Sequence, residues 1–423
     1  MPAIAVFKQI SPSGTLLGRL AEPECWAEFL ERKRASGALP PRRERELAEF
    51  AESAGYLPVV QAILRGDGFP LPEKRLVNKL GSGKKRVVYS FPPAHTMVLK
   101  LLAHLLYRYD GCQPPGCYSF RQGLGAHTAI RALVRTPGID GMWSLKLDVH
   151  DYFNSIEIPR LLPLLAAVVD DDPPLLAFLE KLLTADRALL GGQEVAGPRG
   201  VMAGVPIAPF LANLYLGGLD RHFAGVCPYA RYSDDIIAFF PTRQAAVDAR
   251  EFAASWLAGH GLRINPEKER LSAPGEPWDF LGVSYAGGHL DLSPATQMKL
   301  KGKIRRKARA LRRWMLRKQA GPERAVGAMI RAYNRKFFEG GKGGELTWSR
   351  WFFPLLTRDD SLRAMDAHLQ QYLRWIPSGR HRAANHRTGY ADLKRLGYRT
   401  LVNEYHRYRH TREERQPEWR TDG

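Results

Sequence analysis

The sequence predicts an α+β or α/β core flanked by helical ends, and three observations carry that reading. Between about residues 73 and 290, short β-rich runs alternate with helical stretches. On either side of that span the patterning is helical, punctuated by Pro and Gly breaks. The chain has 423 residues, 44% of them hydrophobic, enough for a substantial core in two or three subdomains.

Residues 1–72 read as a helical N-terminal extension in which EPECWAEFLERKRA and RRERELAEFAESAGYLPVVQAILRG are parted by Pro40 and Pro41. In the 73–290 core, RVVYSF, WSLKLDV, RYSDDIIAFF and FLGVSYAG have the β-branched and aromatic content of strands. AHTMVLKLLAHLLYRY, PRLLPLLAAVVD and RQAAVDAREFAASWLAGHG read as helices. KLKGKIRRKARALRRWMLRK, residues 299–318, contains no acid, while Leu300, Ile304, Ala308, Leu311 and Met315 recur at helical spacing. That predicts a helix with one buried stripe and a cationic remainder suited to tracking phosphates. Beyond it, EGGKGGE at 339–345 reads as a joint leading into a basic helical region, 339–423. Tyr390, Tyr398, Tyr405 and Tyr408 in that region have the spacing more often used for core packing than for base stacking.

Charge narrows the function. The 63 Lys+Arg against 43 Asp+Glu leave a net charge of +20, which points to nucleic acid as the partner. The opening MPAIAVFKQISPSG does not follow a signal-peptide pattern, and no apolar stretch approaches the ~20 residues of a membrane span, so a cytoplasmic protein without a membrane partner is expected. The four cysteines lack the pairing of a zinc site and read as reduced thiols.

RYSDDIIAFF, residues 231–240, carries the chemistry. Asp234 and Asp235 stand between apolar and aromatic flanks, as at the tip of a hairpin joining two buried strands. Carboxylates held there are desolvated and repel one another unless cations sit between them. By contrast, Asp170–Asp172 and Asp359–Asp360 read as solvated turns. Asp148 ends the alternating run WSLKLDV and is the natural partner for the hairpin. Hard oxygen ligands of this kind suit Mg²⁺, with Mn²⁺ as a substitute, and two ions about 3.5–4 Å apart serve nucleotidyl transfer.

These blocks, in order, resemble the motifs of reverse transcriptases, specifically the prokaryotic branch that holds group II intron, retron, diversity-generating and defence-associated enzymes. SGKKRVVYSFPP (82–93) is similar to the fingers motif, CYSFRQGLGAHTAI (117–130) to an aromatic-Arg-Gly segment, and LKLDVHDYF to the first palm motif. MAGVPIAPFLANLYLGGLD (202–220) is similar to the Gly-x-x-x-Ser-Pro block and RYSDDIIAF to Tyr-x-Asp-Asp. HGLRINPEKE (260–269) is similar to the lysine motif that follows, and FLGVSY (280–285) to the primer grip. The resemblance implies an α+β right-hand polymerase fold: fingers and an antiparallel-sheet palm over 73–290, a helical thumb over 291–338, and helical extensions at both ends.

The resemblance also implies roles. Asp148 and Asp234 would be the principal metal ligands, with Asp235 completing the site and the Val149 carbonyl reaching the nucleotide-bound ion. Arg86, with Lys84 or Lys85, would hold the triphosphate, Gly204 would line the nucleotide site, and Lys268 would protonate the departing pyrophosphate. Phe153 stands where the family closes off the sugar 2′ position. Arg121, Lys303, Arg305, Arg306, Arg309 and Arg313 would contact nucleic acid. The expected substrates are dNTPs, a DNA or RNA primer and an RNA template, most simply a structured noncoding RNA, in a stand-alone enzyme of antiphage defence.

Two departures stand out. Ala208-Pro209 replaces Ser-Pro, and Ala203 stands where many relatives carry Gln. Ala208-Pro209 argues against a diversity-generating enzyme, and the C-terminal part lacks the Cys/His nuclease of many intron enzymes. An RNA-directed RNA polymerase would tend to place an acid where this chain has Phe153. A retired maturase or RNA scaffold would have no use for three desolvated acids.

Overall fold

Leu145, Leu147 and every residue from Ile236 to Phe240 are buried, so Trp143–Asp148 and Asp235–Phe240 lie at the centre of a sheet. The computed structural model describes residues 14–37, 39–78, 85–339, 347–380 and 388–414. In chain order the strands are β1 (Glu73–Asn78), β2 (Lys85–Ser90), β3 (Trp143–Asp148), β4 (Arg187–Leu190), β5 (Gln193–Ala196), β6 (Tyr229–Tyr232), β7 (Asp235–Phe240), β8 (Arg270–Ser272), β9 (Trp278–Phe280), β10 (Val283–Ala286) and β11 (His289–Leu292). The chain divides into two compact units: Arg42–Glu276 with the stretch up to Ser36, and Pro277 onward with Gly37–Pro41.

The first unit holds two four-stranded sheets. The central one runs β6-β7-β3-β8, antiparallel throughout, and the helix Arg243–Gly259 packs on β3 and β7 through Ala246, Ala253 and Leu257. Its register sets Asp148 opposite Asp235. The other sheet runs β2-β1-β4-β5, with β1 and β2 as an antiparallel hairpin. The expected α+β fold, with an antiparallel palm sheet, is what forms.

The N-terminal extension is helical, with Leu16–Arg19, Pro23–Ser36, Pro41–Glu52 and Leu57–Arg65. The single helix expected across 42–66 breaks at Ala54, whose φ of +50° does not continue a helix. A second correction concerns Asp170–Asp172. Asp172 is not solvated but 1% exposed, and its carboxylate accepts from Leu16 N at 2.6 Å and Leu175 N at 3.1 Å. One buried acid thereby caps the helix Pro173–Leu183 and ties the extension to it.

In the second unit, β9, β10 and β11 form an antiparallel sheet, followed by helices Pro294–Arg317, Pro322–Asn334, Asp360–Ser378 and Leu401–Glu414. Leu300, Ile304, Ala308 and Met315 form the buried stripe expected of the first of these, with Leu311 only half-buried. Arg312 leaves the cationic face and donates to the Ile376 and Pro377 carbonyls at 2.8 and 3.2 Å. Asp366 accepts from Leu401 N and Val402 N, at 2.9 and 3.1 Å, which caps the last helix. Tyr398 and Tyr405 are core residues, while Tyr390 is exposed and Tyr408 half-buried. Lys84 and most of the Gly-rich joint at 339–345 lie outside the described residues.

Candidate active site

The tip of the β6–β7 hairpin is a two-residue turn, Ser233-Asp234, because Tyr232 pairs directly with Asp235. Ser233 adopts φ +61°, a left-handed conformation that a non-glycine residue holds only when its surroundings over-determine it. Two bonds do so here. Ser233 N donates to Ser119 Oγ at 2.8 Å, and the Ser233 carbonyl accepts from Arg231 Nη1 at 3.1 Å.

Arg231 is the key to this turn. It is fully buried in β6 and meets fully buried Asp220 in a bidentate pair, Nε to Oδ1 at 2.7 Å and Nη2 to Oδ2 at 2.5 Å. Its remaining donors reach Asn213 Oδ1 at 3.2 Å and Cys117 Sγ at 3.2 Å. Tyr229 OH donates to Asp220 at 2.7 Å, and Asn213 Nδ2 donates to the Ser119 carbonyl at 2.7 Å. Burial alone pulls the Arg231 charge down, but the Asp220 carboxylate overrides it and holds the guanidinium well above its usual range. A satisfied network of this kind rigidifies whatever is bonded to it.

On this platform sit the three acids. Asp148, 5% exposed, receives Asn265 Nδ2 at 3.1 Å on one oxygen and the Lys268 ammonium on the other. Asn265 N also donates to the Asp148 carbonyl at 2.7 Å. Lys146, two residues before Asp148 in β3, places Nζ 3.5 Å from Asp235 Oδ1. Burial, with Asp148 and Asp234 adding repulsion against the pull of Lys146, pushes the Asp235 carboxyl up to about 6. Asp234 is raised by burial and then by Asp148, while Lys268 and Arg86 draw it back. Negative charge is thus concentrated beyond what the nearby lysines offset, at the end of the two central strands.

That excess charge and the all-oxygen donor set fit hard divalent cations. Among the described residues no three carboxylate, imidazole or thiolate groups converge on a single point, since Asp148 is turned to Lys268 and Asp235 to Lys146. Asp148, Asp234 and the Val149 carbonyl are the residues that would hold the ions, with Asp235 beside them. Val149 N donates to the Asp234 carbonyl at 3.0 Å, so these ligands share one hydrogen-bonded frame.

The other expected site residues are divided between the two units. Phe153, half-buried, belongs to the turn Tyr152–Ser155, whose Tyr152 OH donates to the Ala212 carbonyl. The Phe153 carbonyl accepts from Val201 N at 2.9 Å, and a Cβ on Gly200 (φ +60°) would fall 2.0 Å from that carbonyl oxygen. Gly204 (φ +101°) lets its block lie against β2, where a Cβ would come 3.0 Å from the Tyr89 carbonyl, and Tyr89 N donates to the Ala203 carbonyl at 2.8 Å. Lys85 and Arg86 are exposed on β2. Arg121 is occupied within the fold by Asp110 and by the Pro114, Cys117 and Asp110 carbonyls at 3.2–3.4 Å. Lys303, Arg305, Arg306, Arg309 and Arg313 are exposed on the helix Pro294–Arg317 of the second unit.

Residues 77–285 match the family model described as reverse transcriptase (RNA-dependent DNA polymerase). By this match the segment is similar to reverse transcriptase domains. It is similar to the retron Mx65 reverse transcriptase of Myxococcus xanthus, with 30% identity over 39% of this chain and 41% of that one. The retron Ec86 reverse transcriptase of Escherichia coli is 24% identical over 40% of this chain and 50% of that one. The chain therefore spans about half or less of the length of these curated relatives. A solved apo telomerase from Candida tropicalis, truncated from its C-terminal domain, covers 55% of this chain and 58% of its own with a TM-score of 0.41 and 12% identity.

Several residues that build the site were not singled out from the sequence: Lys146, Asn265, Ser119, Asn213, Asp220 and Arg231. Two had a signal. Lys146 shares the Asp148 side of β3 by the period of two, and an arginine within an apolar strand needs a buried acid. Removing one partner of the buried pair leaves the other uncompensated, so Asp220→Asn should cost about 3–5 kcal/mol, read from urea unfolding. The double replacement Asp220→Leu with Arg231→Met should cost less than either single change.

Proposed function

We propose that this protein is an RNA-directed DNA polymerase that extends a primer along an RNA template with dNTPs. The observation that carries the reading is the placement of Asp148 opposite Asp235 with Asp234 in the adjoining turn, inside the segment similar to reverse transcriptase domains. Divalent cations, Mg²⁺ or Mn²⁺, would supply activation of the attacking hydroxyl and neutralisation of the leaving pyrophosphate. The chain's own residues do the rest. Asp148 and Asp234 present oxygens at one strand end, and the exposed Lys85 and Arg86 on β2 offer the triphosphate a point charge and a fork. Lys268, bonded to Asp148, would give a proton to the departing pyrophosphate. The exposed cations of Pro294–Arg317 supply sequence-independent affinity for nucleic acid. The similarity to retron enzymes favours an associated noncoding RNA as template and antiphage defence as the setting.

Two measurements test the reading. Asp234→Asn should lower the rate of primer extension by several orders of magnitude while leaving RNA affinity within about twofold, because ligands of the reacting centre act on the transition state and basic surfaces on binding. Equal activity in the mutant would remove the assignment. Phe153→Val should raise the rNTP-to-dNTP ratio of kcat/KM on one primer-template, since a smaller side chain no longer collides with a 2′ hydroxyl. A constant ratio with both activities falling would make Phe153 a packing residue.

A further inference from the structure

Phe120 combines two features that seldom occur together. Its backbone lies at φ +55°, a conformation in which a bulky side chain is a genuine outlier, and its ring is 43% exposed. Nothing about burial explains why the fold should hold an aromatic there. Strain of this sort persists only when the surroundings impose it.

The surroundings do impose it. On one side Ser119 is fully buried, its hydroxyl bonded to Asn213 Oδ1 at 3.2 Å and its carbonyl to Asn213 Nδ2 at 2.7 Å. On the other side Arg121 is clamped by Asp110 and by the Pro114 and Cys117 carbonyls. The preceding stretch is laced to β6, with Tyr118 N donating to the Arg231 carbonyl at 2.9 Å and Arg231 N to the Gly116 carbonyl at 2.7 Å. Phe120 is therefore held out from the surface by bonds to both neighbours. Its ring centroid lies 6.3 Å from that of Tyr232, the residue that opens the catalytic turn. Ser119 Oγ holds that same turn at Ser233 N, so Phe120 is one residue from the contact that fixes Asp234.

We infer that Phe120, backed by Tyr232, is a stacking platform for a nucleobase at the end of the primer-template nearest the catalytic turn. This rests on the polymerase reading, because that reading is what brings nucleic acid to Asp234. An exposed ring offers a face to any base without hydrogen-bond readout, which suits an enzyme that must accept every terminal pair. Tyr232 limits the freedom of the ring on its inner side. The rigid loop removes the ordering that a flexible aromatic would undergo on binding.

Affinity and stability separate this role from a structural one. In fluorescence-anisotropy titrations with a labelled primer-template at fixed salt, Phe120→Ala and Phe120→Gly should each weaken binding about tenfold, the loss of one stacked base. Phe120→Trp should bind as the wild type does. The slope of log affinity against log salt should stay constant, because no phosphate contact is lost. Phe120→Gly should keep or raise Tm, since glycine accepts φ +55° without strain. An abasic nucleotide at the terminal pair should weaken the wild type and leave Phe120→Ala unaffected. Binding of Phe120→Gly within twofold of wild type, or a fall in its Tm that accounts for the lost affinity, would overturn the platform. Failure of the wild-type protein to bind and extend the primer-template would instead remove the polymerase reading.

Discussion

The buried pair of Arg231 and Asp220 is the constraint from which the arrangement of the first unit's reactive end follows. Both side chains are fully removed from water, which is tolerable only because every donor of the guanidinium has an acceptor. One of those acceptors is the Ser233 carbonyl, so satisfying the buried charge also sets the turn that carries Asp234. The same network reaches Ser119 through Asn213, and Ser119 closes the loop by accepting from Ser233 N. A left-handed serine is thereby held without a glycine.

Electrostatics completes what the network positions. Strand register alone would set Asp148 against Asp235, a like-charge pair that destabilises a sheet. Lys268 on Asp148 and Lys146 on Asp235 relieve part of that repulsion, while burial, with the remaining repulsion added to it, raises the Asp234 and Asp235 carboxyls. Unfavourable charge is kept at the end of the two central strands, whose buried runs lie behind it, an arrangement that cations would relieve.

Much of this was legible in the sequence, for identifiable reasons. The flanks of Asp234 and Asp235 are apolar enough to announce a hairpin between buried strands, and Asp148 closes an alternating run, so the acids are legible without their register. The stripe of Leu300, Ile304, Ala308 and Met315 followed from helical period. What escaped was long-range. Asn265 meets Asp148 across 117 positions, and Asn213 meets Ser119 across 94, distances at which no local pattern announces a bond. The burial of Asp172 is hidden for the same reason. Its cap on Leu175 is local, but the bond to Leu16 N that buries it comes from 156 residues away. Ala54 broke a helix that amphipathic spacing alone would have continued.

Bonds from the buried network, and not the two strands alone, hold the Ser233-Asp234 turn. Hydrogen exchange at the Ser233 amide tests it most directly, because that N–H points away from the strand ladder to Ser119 Oγ. Exchange at Ser233 should be slow in the wild type, and Ser119→Ala should accelerate it markedly with no change at Ala238 in the middle of β7. Exchange at Ser233 that is already fast in the wild type, or that is unaltered by Ser119→Ala, would contradict it.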